Sequence, residues 1–204
     1  MRTIKVITGT EKSRGASMML SKGTVLAELK KSKEVLPSET KIDFEEKFSP
    51  CPIDRVDKYL YIGNRIGAEY LEYLKNNEIT HIVNTTVEIP NYHEKIFKYV
   101  NIPLQDNPVK NEENLLGVLE PTYQKVDKII QQDKNAKIFV HCAAGISRSA
   151  SIVIYYLMKK YSLSYDDAFN NLKKVREIVN PNDWYKMQLR DAQLQIESER
   201  GIVL

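Results

Sequence analysis

The sequence predicts an α/β domain in which a central mixed sheet is flanked by helices on both faces. Short apolar segments alternate along the chain with longer helical patterns, which is the arrangement of a sheet covered by helices. The segment 137–141 has three consecutive apolar residues, 138–140, as in a strand that is buried on both sides. The run 152–158 that follows is apolar on almost every side and predicts a buried helix.

The other elements follow in chain order. Further strands are predicted at KYLYIG (58–63), THIVNT (80–85) and FKYVNI (97–102). Helices are predicted at residues 67–77 and 114–132, after Arg148, from Ser164 onward, and from the NPND turn to about Glu199. Pro121 lies inside the second of these helices and predicts a kink or a break. Ser164 and Asp167 fit a capping box with Asp in the position of Glu.

The first 50 residues differ in composition from the rest of the chain. Residues 1–36 contain eight Lys or Arg against three Glu, whereas residues 51–204 contain equal numbers of basic and acidic side chains. We expect a basic N-terminal extension over residues 1–50, partly disordered or folded as one docking helix, before a domain at 54–200. An organelle presequence and a docking peptide (KKSKEVL, 30–36) are alternative interpretations.

Composition and charge limit the classes of function. A net charge of +3 is too small to argue for a nucleic-acid partner. No stretch approaches the ~18 consecutive apolar residues of a membrane span. Two cysteines, Cys51 and Cys142, make no disulfide framework, which favours a reducing compartment. We expect a cytoplasmic protein, with the nucleus also compatible; the sequence does not set the oligomeric state.

The segment VHCAAGISRS, residues 140–149, places a cysteine and an arginine at the two ends of a five-residue loop. Backbone N–H groups of a loop that runs into a helix amino terminus bind anions. Gly145 gives this loop backbone freedom, and Arg148 offers a planar fork that fits two phosphoryl oxygens. Cys142 would lie at the mouth of the anion site, where we expect it to be ionised and nucleophilic.

Two other uses of this segment are disfavoured. A nucleotide-binding phosphate loop needs a second glycine and a Lys-Ser or Lys-Thr pair, which this loop lacks. An inert buried thiol at a strand end is the other interpretation. It is disfavoured because a glycine three residues and an arginine six residues after the same cysteine rarely coincide by chance.

His141-Cys142, five further residues and Arg148-Ser149 resemble the signature of the cysteine-dependent protein tyrosine phosphatases. HCAAGISRSAS followed by IVIYYLM resembles their dual-specificity branch. The likeness extends to YLYIGN (59–64), THIVNTT (80–86), IPLQDN (102–107) and NPNDWYKMQL (180–189), and so covers about residues 54–199. It implies a single domain of the small, atypical type, because residues 1–50 are too short for a rhodanese-like regulatory domain.

The resemblance also implies a role for each residue of the signature. Cys142 would attack phosphorus and form a cysteinyl-phosphate, while Arg148 would clamp the phosphoryl oxygens. Ser149 would donate a hydrogen bond to the departing thiolate, and His141 would fix the loop and help to keep the cysteine ionised. The phosphate-binding loop itself would consist of Ala143, Ala144, Gly145, Ile146 and Ser147. No metal and no cofactor are implied.

A general acid is needed for the leaving oxygen, and the resemblance implies an aspartate on an upstream loop. Asp106 in YVNIPLQDNP is the candidate, since Asn107 and Pro108 mark a loop after a predicted strand. Asp127 and Asp133 are poorer candidates because they belong to the predicted helix that leads to the nucleophile strand.

The function implied is a metal-independent protein phosphatase for phosphotyrosine and for phosphoserine and phosphothreonine. Relatives that act on inositol phospholipids tend to carry extra basic residues in the loop, and this loop adds none besides Arg148. The expected partners are therefore phosphoprotein substrates, a protein kinase among them. The alternatives are a phosphoinositide or RNA 5′-phosphatase on the same fold, or a catalytically weak scaffold that binds phosphoproteins.

Overall fold

A computed structural model describes residues 51–106 and 114–200 of the chain. The strands in these ranges are β1 (Ile53–Arg55), β2 (Leu60–Gly63), β3 (His81–Thr86), β4 (Lys98–Leu104) and β5 (Ile138–His141). They form one sheet in the order β1-β2-β5-β3-β4, in which β1 pairs antiparallel with β2 and the other pairs are parallel. The predicted mixed sheet is confirmed. The extension at residues 1–50 lies outside the described residues, as do Asn107 and Pro108.

Helices occupy most of the remaining described chain. They are α1 (Arg65–Glu69), α2 (Leu71–Asn76), α3 (Leu116–Gln132), α4 (Arg148–Tyr161), α5 (Tyr165–Val175) and α6 (Asp183–Glu199). Ser164 caps α5 by accepting a hydrogen bond from the backbone N–H of Asp167 at 3.1 Å, which is the N-cap half of the predicted capping box; the Asp167 carboxylate accepts from the Ser164 hydroxyl at 2.7 Å. Within residues 51–106 and 114–200, none of the helices combines the length and the apolar character needed to cross a bilayer.

Three details differ from the sequence-based expectation. The helix predicted at 67–77 is two short helices, because Tyr70 adopts extended backbone between them. Helix α3 continues through Pro121 without the predicted break, and one face of it is buried in the core, so packing outweighs the lost backbone hydrogen bond. Strand β1 was not predicted, since three residues are too few to show an alternating pattern.

Successive residues of the buried strands alternate between the two faces of the sheet. Ile138 and Val140 of β5 belong to a core cluster that also contains residues of α3, α4, α5 and α6. Phe139, between them, belongs to a second cluster with Ala68 of α1 and Leu74 of α2. Both faces are therefore covered by helices, as predicted, and this explains why β5 is apolar at every position except its end.

The carboxyl ends of the parallel strands meet at one edge of the sheet. Strand β2 ends at Gly63, β3 at Thr86, β4 at Leu104 and β5 at His141. Ligands of open α/β sheets bind outside this edge, because the loops that follow the strands converge there. The segments 64–65, 87–88, 105–106 and 142–147 are the ones that leave it.

Candidate active site

The loop 142–147 connects β5 to the amino terminus of α4. Gly145, in its middle, has φ +70°, in the left-handed region that favours glycine. A Cβ atom at this position would lie 2.6 Å from the carbonyl oxygen of Gly63 and 2.8 Å from Nη2 of Arg176. Both the backbone conformation and the space around it therefore require glycine here.

The carbonyl oxygens of this loop accept hydrogen bonds from groups outside it. Their donors are Arg65 N to Ala143 (3.1 Å), Arg176 Nη2 to Ala144 (3.0 Å), Arg176 Nε to Gly145 (2.9 Å), Asn180 N to Ile146 (2.9 Å) and Ser151 N to Ser147 (2.9 Å). In a trans peptide the C=O and N–H bonds point in opposite directions. The N–H groups of residues 144–148 therefore turn toward the inside of the loop and form an anion-binding cradle.

The sulfur of Cys142 lies within this cradle. The backbone N–H of Gly145 donates to Sγ at 3.2 Å, and the hydroxyl of Ser149 donates to it at 3.3 Å. The side chain is buried, so bulk water does not compete with these two donors. Two hydrogen-bond donors therefore converge on the sulfur that would act as the nucleophile.

Arg148 stands beside the cradle with its guanidinium between two acidic side chains. Glu88 accepts from Nη1 with both carboxylate oxygens, at 2.8 and 2.9 Å, and Asp106 Oδ1 lies 3.1 Å from Nε. Nη2 has no hydrogen-bond partner among the described residues. The Arg148 side chain is only 1% exposed, so this free donor is held ready for an oxyanion.

The structure brings Asp106, and not Asp127, to the active-site arginine. Asp106 follows β4, and its side chain is 69% exposed on the open side of the site. The preceding carbonyl, of Gln105, accepts a hydrogen bond from the Tyr185 hydroxyl of α6 at 2.7 Å. Asp127 lies on α3, where Lys160 and Gln131 bind its carboxylate. Of these two aspartates, only Asp106 contacts the guanidinium.

His141 is anchored through both its backbone carbonyl and its ring. Its carbonyl oxygen accepts from the Thr85 hydroxyl at 2.8 Å, and its ring stacks on Phe139. Burial, assisted by the positive charge of Arg148, lowers the pKa of His141 to about 4. The ring is therefore neutral at pH 7. It carries no positive charge with which to stabilise an ionised cysteine.

Two residues of the site were missed by sequence reasoning. Glu88 lies two positions after β3, and an acidic residue beyond a strand that ends at the ligand-binding edge was an available signal. Arg176 lies at the end of α5 in a lysine-rich stretch that reads as a solvated surface, yet it is buried against the phosphate loop. No local pattern distinguished it from its exposed neighbours.

The charge state of Glu88 follows from its partner. Partial burial acts to raise the pKa of Glu88, but the hydrogen bonds and positive charge of Arg148 outweigh it and leave the pKa below its ordinary value. Glu88 is thus ionised at neutral pH. Within residues 51–106 and 114–200, no three His, Cys, Asp or Glu side chains are grouped so as to hold a metal ion.

Comparison with known proteins identifies similar chains. A family model described as the dual specificity phosphatase catalytic domain matches residues 60–195. Dual specificity protein phosphatase 18 of Mus musculus is 32% identical over 144 residues, which cover 71% of this chain and 74% of that protein. A probable rhodanese domain-containing dual specificity protein phosphatase of Dictyostelium discoideum is 34% identical over 148 residues, 72% of this chain.

The match covers only 30% of the length of the Dictyostelium protein. Among solved structures, that of human DUSP28 is similar with a TM-score of 0.66 and 28% identity. The similarity covers 72% of this chain and 97% of the DUSP28 chain. The likeness thus extends over the sheet, the loop and the helices described above.

Proposed function

The chain belongs to the dual specificity phosphatase family, and from that premise we propose that it hydrolyses phosphotyrosine, phosphoserine and phosphothreonine in proteins through a cysteinyl-phosphate intermediate. One observation carries the proposal. The sulfur of Cys142 lies in a loop whose N–H groups turn inward, and buried Arg148, at the end of the same loop, keeps Nη2 without a hydrogen-bond partner among the described residues. A nucleophile and the donors for phosphoryl oxygens thus occupy the same place.

In the first step, the N–H groups of residues 144–148 and Nη2 of Arg148 bind the phosphoryl oxygens. A second phosphoryl oxygen accepts a hydrogen bond from Nε of Arg148. It thereby displaces the Asp106 carboxylate, whose Oδ1 lies 3.1 Å from Nε in the substrate-free chain. The thiolate of Cys142 attacks phosphorus, the S–P bond forms and the P–O bond to the side chain breaks. Asp106, now free of the guanidinium, gives its proton to the leaving oxygen.

In the second step, water attacks the cysteinyl-phosphate. Asp106 accepts a proton from this water, the new P–O bond forms and the S–P bond breaks. The hydroxyl of Ser149, 3.3 Å from Sγ, donates to the departing thiolate. Inorganic phosphate then leaves, and Asp106 carries the proton needed for the next cycle.

The substrate class rests on the loop side chains. Ala143, Ala144, Ile146 and Ser147 add no charge to that of Arg148, so the loop offers little to a second phosphate group. This supports singly phosphorylated protein side chains over inositol phospholipids and triphosphate ends of RNA. We also propose a signalling role in the cytoplasm, with a phosphorylated protein kinase among the substrates. All the residues that carry out the chemistry belong, in this proposal, to the domain at 54–200.

The experiment compares substrate classes on the purified chain. Peptides of one sequence carrying phosphotyrosine, phosphoserine or phosphothreonine are tested beside a short-chain phosphoinositide, a 5′-triphosphate RNA and an aryl phosphate. We expect the highest kcat/KM among the phosphopeptides. Faster release from lipid or RNA would assign one of the alternatives. Binding of phosphopeptides without hydrolysis of any substrate would assign the scaffold function.

Chelation should leave the rate of aryl phosphate hydrolysis unchanged. The thiolate, the guanidinium of Arg148 and the inward N–H groups already supply the charge stabilisation that metal ions give other phosphatases. The measurement is the initial rate after dialysis against EDTA, with Mg²⁺ or Zn²⁺ restored in a parallel sample. Activity that disappears with EDTA and returns with one of these ions would contradict the proposal.

Glu88→Gln should lower kcat/KM at pH 7 by about tenfold. The variant keeps the shape of the side chain, but a neutral amide binds the guanidinium less strongly than a carboxylate does, so Arg148 is held less firmly. The ionised form supports Arg148 above the pKa of Glu88, and this support is lost as the pH falls through that lowered pKa. The rates of parent and variant should therefore converge in acid.

The matched control for this prediction is Glu72→Gln, an exposed glutamate of α2. It should leave the pH profile of kcat/KM unchanged. A variant at Glu88 that is as active as the parent across the pH range would show that this ion pair does not position Arg148.

A further inference from the structure

Arg176 binds the outer side of the phosphate loop from the end of α5. Its Nε donates to the carbonyl of Gly145 at 2.9 Å, and its Nη2 donates to the carbonyl of Ala144 at 3.0 Å. Its Nη1 donates to the carboxylate of Asp54 at 2.6 Å and to the carbonyl of Cys51 at 2.7 Å. The residue itself is only 2% exposed, and its bond to the carbonyl of Gly145 is fully buried.

The two loop carbonyls that Arg176 binds belong to the peptides that carry the N–H groups of Gly145 and Ile146. Because C=O and N–H of a peptide are opposed, holding these carbonyls outward directs both N–H groups inward. The N–H of Gly145 is the one that contacts the sulfur of Cys142, at 3.2 Å. Arg176 therefore acts on the nucleophile and on the anion cradle through one peptide unit.

The other loop carbonyls depend on different donors. Ala143 and Ile146 accept from backbone N–H groups, which a side-chain substitution does not remove. The orientation of the two middle peptides rests on the Arg176 guanidinium instead. Asp54 fixes that guanidinium from the opposite side, in strand β1, and balances its buried charge. A lysine could not make the same contacts, since its ammonium lacks the planar fork.

We propose that Arg176 is a positioning residue that sets the anion-binding geometry of the phosphate loop, with Asp54 fixing its guanidinium. The kinetic consequence rests on the proposed phosphatase function. The direct consequence, binding of inorganic phosphate in the loop, does not depend on it. A residue that only stabilised the fold would change the unfolding temperature without changing the phosphate affinity of the folded chain.

The test compares Arg176→Met, Arg176→Lys and Asp54→Asn with the parent. The matched control is Arg190→Met, because Arg190 also pairs with an aspartate, Asp166, but its side chain is 58% exposed on α6. The first readout is protection of Cys142 from iodoacetate by inorganic phosphate, followed by mass mapping so that Cys51 is read separately. The second is kcat/KM on an aryl phosphate, and the third is the unfolding midpoint.

For Arg176→Met we expect kcat/KM to fall by about 10²-fold, the size of losing one well-placed oxyanion donor. Phosphate should protect Cys142 only at concentrations about tenfold higher than for the parent, as one lost hydrogen bond to a charged group implies. For Arg176→Lys and Asp54→Asn, both kcat/KM and the phosphate concentration needed for protection should be intermediate between those of Arg176→Met and the parent. Arg190→Met should match the parent in both readouts.

Folded variants with the phosphate affinity and kcat/KM of the parent would overturn the proposal, and so would an equal loss in Arg190→Met. If Arg176→Met does not fold, the phosphate affinity and kcat/KM of Arg176→Lys and Asp54→Asn test the proposal by the same criteria. Failure of all three to fold would assign these residues to folding and reject the proposal. A parent chain that binds phosphate but hydrolyses no substrate would reject the proposed function alone, because phosphate protection still tests Arg176.

Discussion

Replacing Cys142 with serine should reduce kcat by on the order of 10⁶-fold, the size of effect that follows removal of an enzyme nucleophile. A serine hydroxyl is not ionised at neutral pH, and nothing in the described site acts as a base toward it. The cradle should survive, since Arg148 and the loop N–H groups are unchanged, so inorganic phosphate should bind nearly as it does to the parent. Calorimetry with phosphate and steady-state hydrolysis of an aryl phosphate measure the two expectations.

A trapped intermediate gives a second readout of the same substitution. After rapid quenching, the peptide that contains Cys142 should carry one phosphoryl group in the parent and none in Cys142→Ser. Cys51→Ser is the matched control, because it keeps the backbone carbonyl that Arg176 binds and changes only an exposed thiol. Substantial turnover by the Cys142 variant, or phosphoryl transfer to another residue, would show that the nucleophile is misassigned.

Asp106→Asn should slow hydrolysis of tyrosyl and alkyl phosphates by about 10²–10⁴-fold, the usual worth of positioned proton transfer. In the substrate-free chain Asp106 Oδ1 lies 3.1 Å from Nε of Arg148, and asparagine can keep this contact through its carbonyl oxygen. The variant therefore removes the transferable proton with little change of shape. A substrate whose leaving group is already a stable anion should lose much less.

The measurement is the rate of the first, phosphoryl-transfer step, because the proposed mechanism also uses Asp106 to activate water in the second. The readout is the ratio of the rates on poor and good leaving groups, compared between the parent and the variant. Asp127→Asn is the control, since Asp127 is bound to Lys160 on α3. Equal losses on good and poor leaving groups in the first step would show that Asp106 is not the acid.

Individual residues show which features of the site can be predicted from the sequence. The run from β5 through the loop to α4 was predictable because every signal in it is local. An apolar strand, a glycine with φ +70° and an arginine at the first turn of a helix follow one another within residues 138–148. The pKa of the His141 ring, in contrast, depends on burial that only packing creates.

Site residues that lie far from the loop in the sequence could be proposed only from the family resemblance, and some could not be proposed at all. Asp106 was found because the segment before it resembles a known family. Glu88, 60 positions from Arg148, was missed although its carboxylate binds the guanidinium with both oxygens. Helix α3 was predicted to kink or break at Pro121 from a local rule; it continues without a break, with one face packed in the core.

The sequence alone determined the chemistry available to this protein: one cysteine, one arginine and a glycine-containing loop at the end of a buried strand. Only the tertiary structure decided which groups surround that chemistry. The strand order β1-β2-β5-β3-β4 brings Glu88 and Asp106 to Arg148. The fold likewise brings Asp54 into contact with Arg176, although the two are 122 positions apart in the sequence. Local periodicity reflects the burial of a single element, whereas these contacts depend on which elements become neighbours when the whole core is packed.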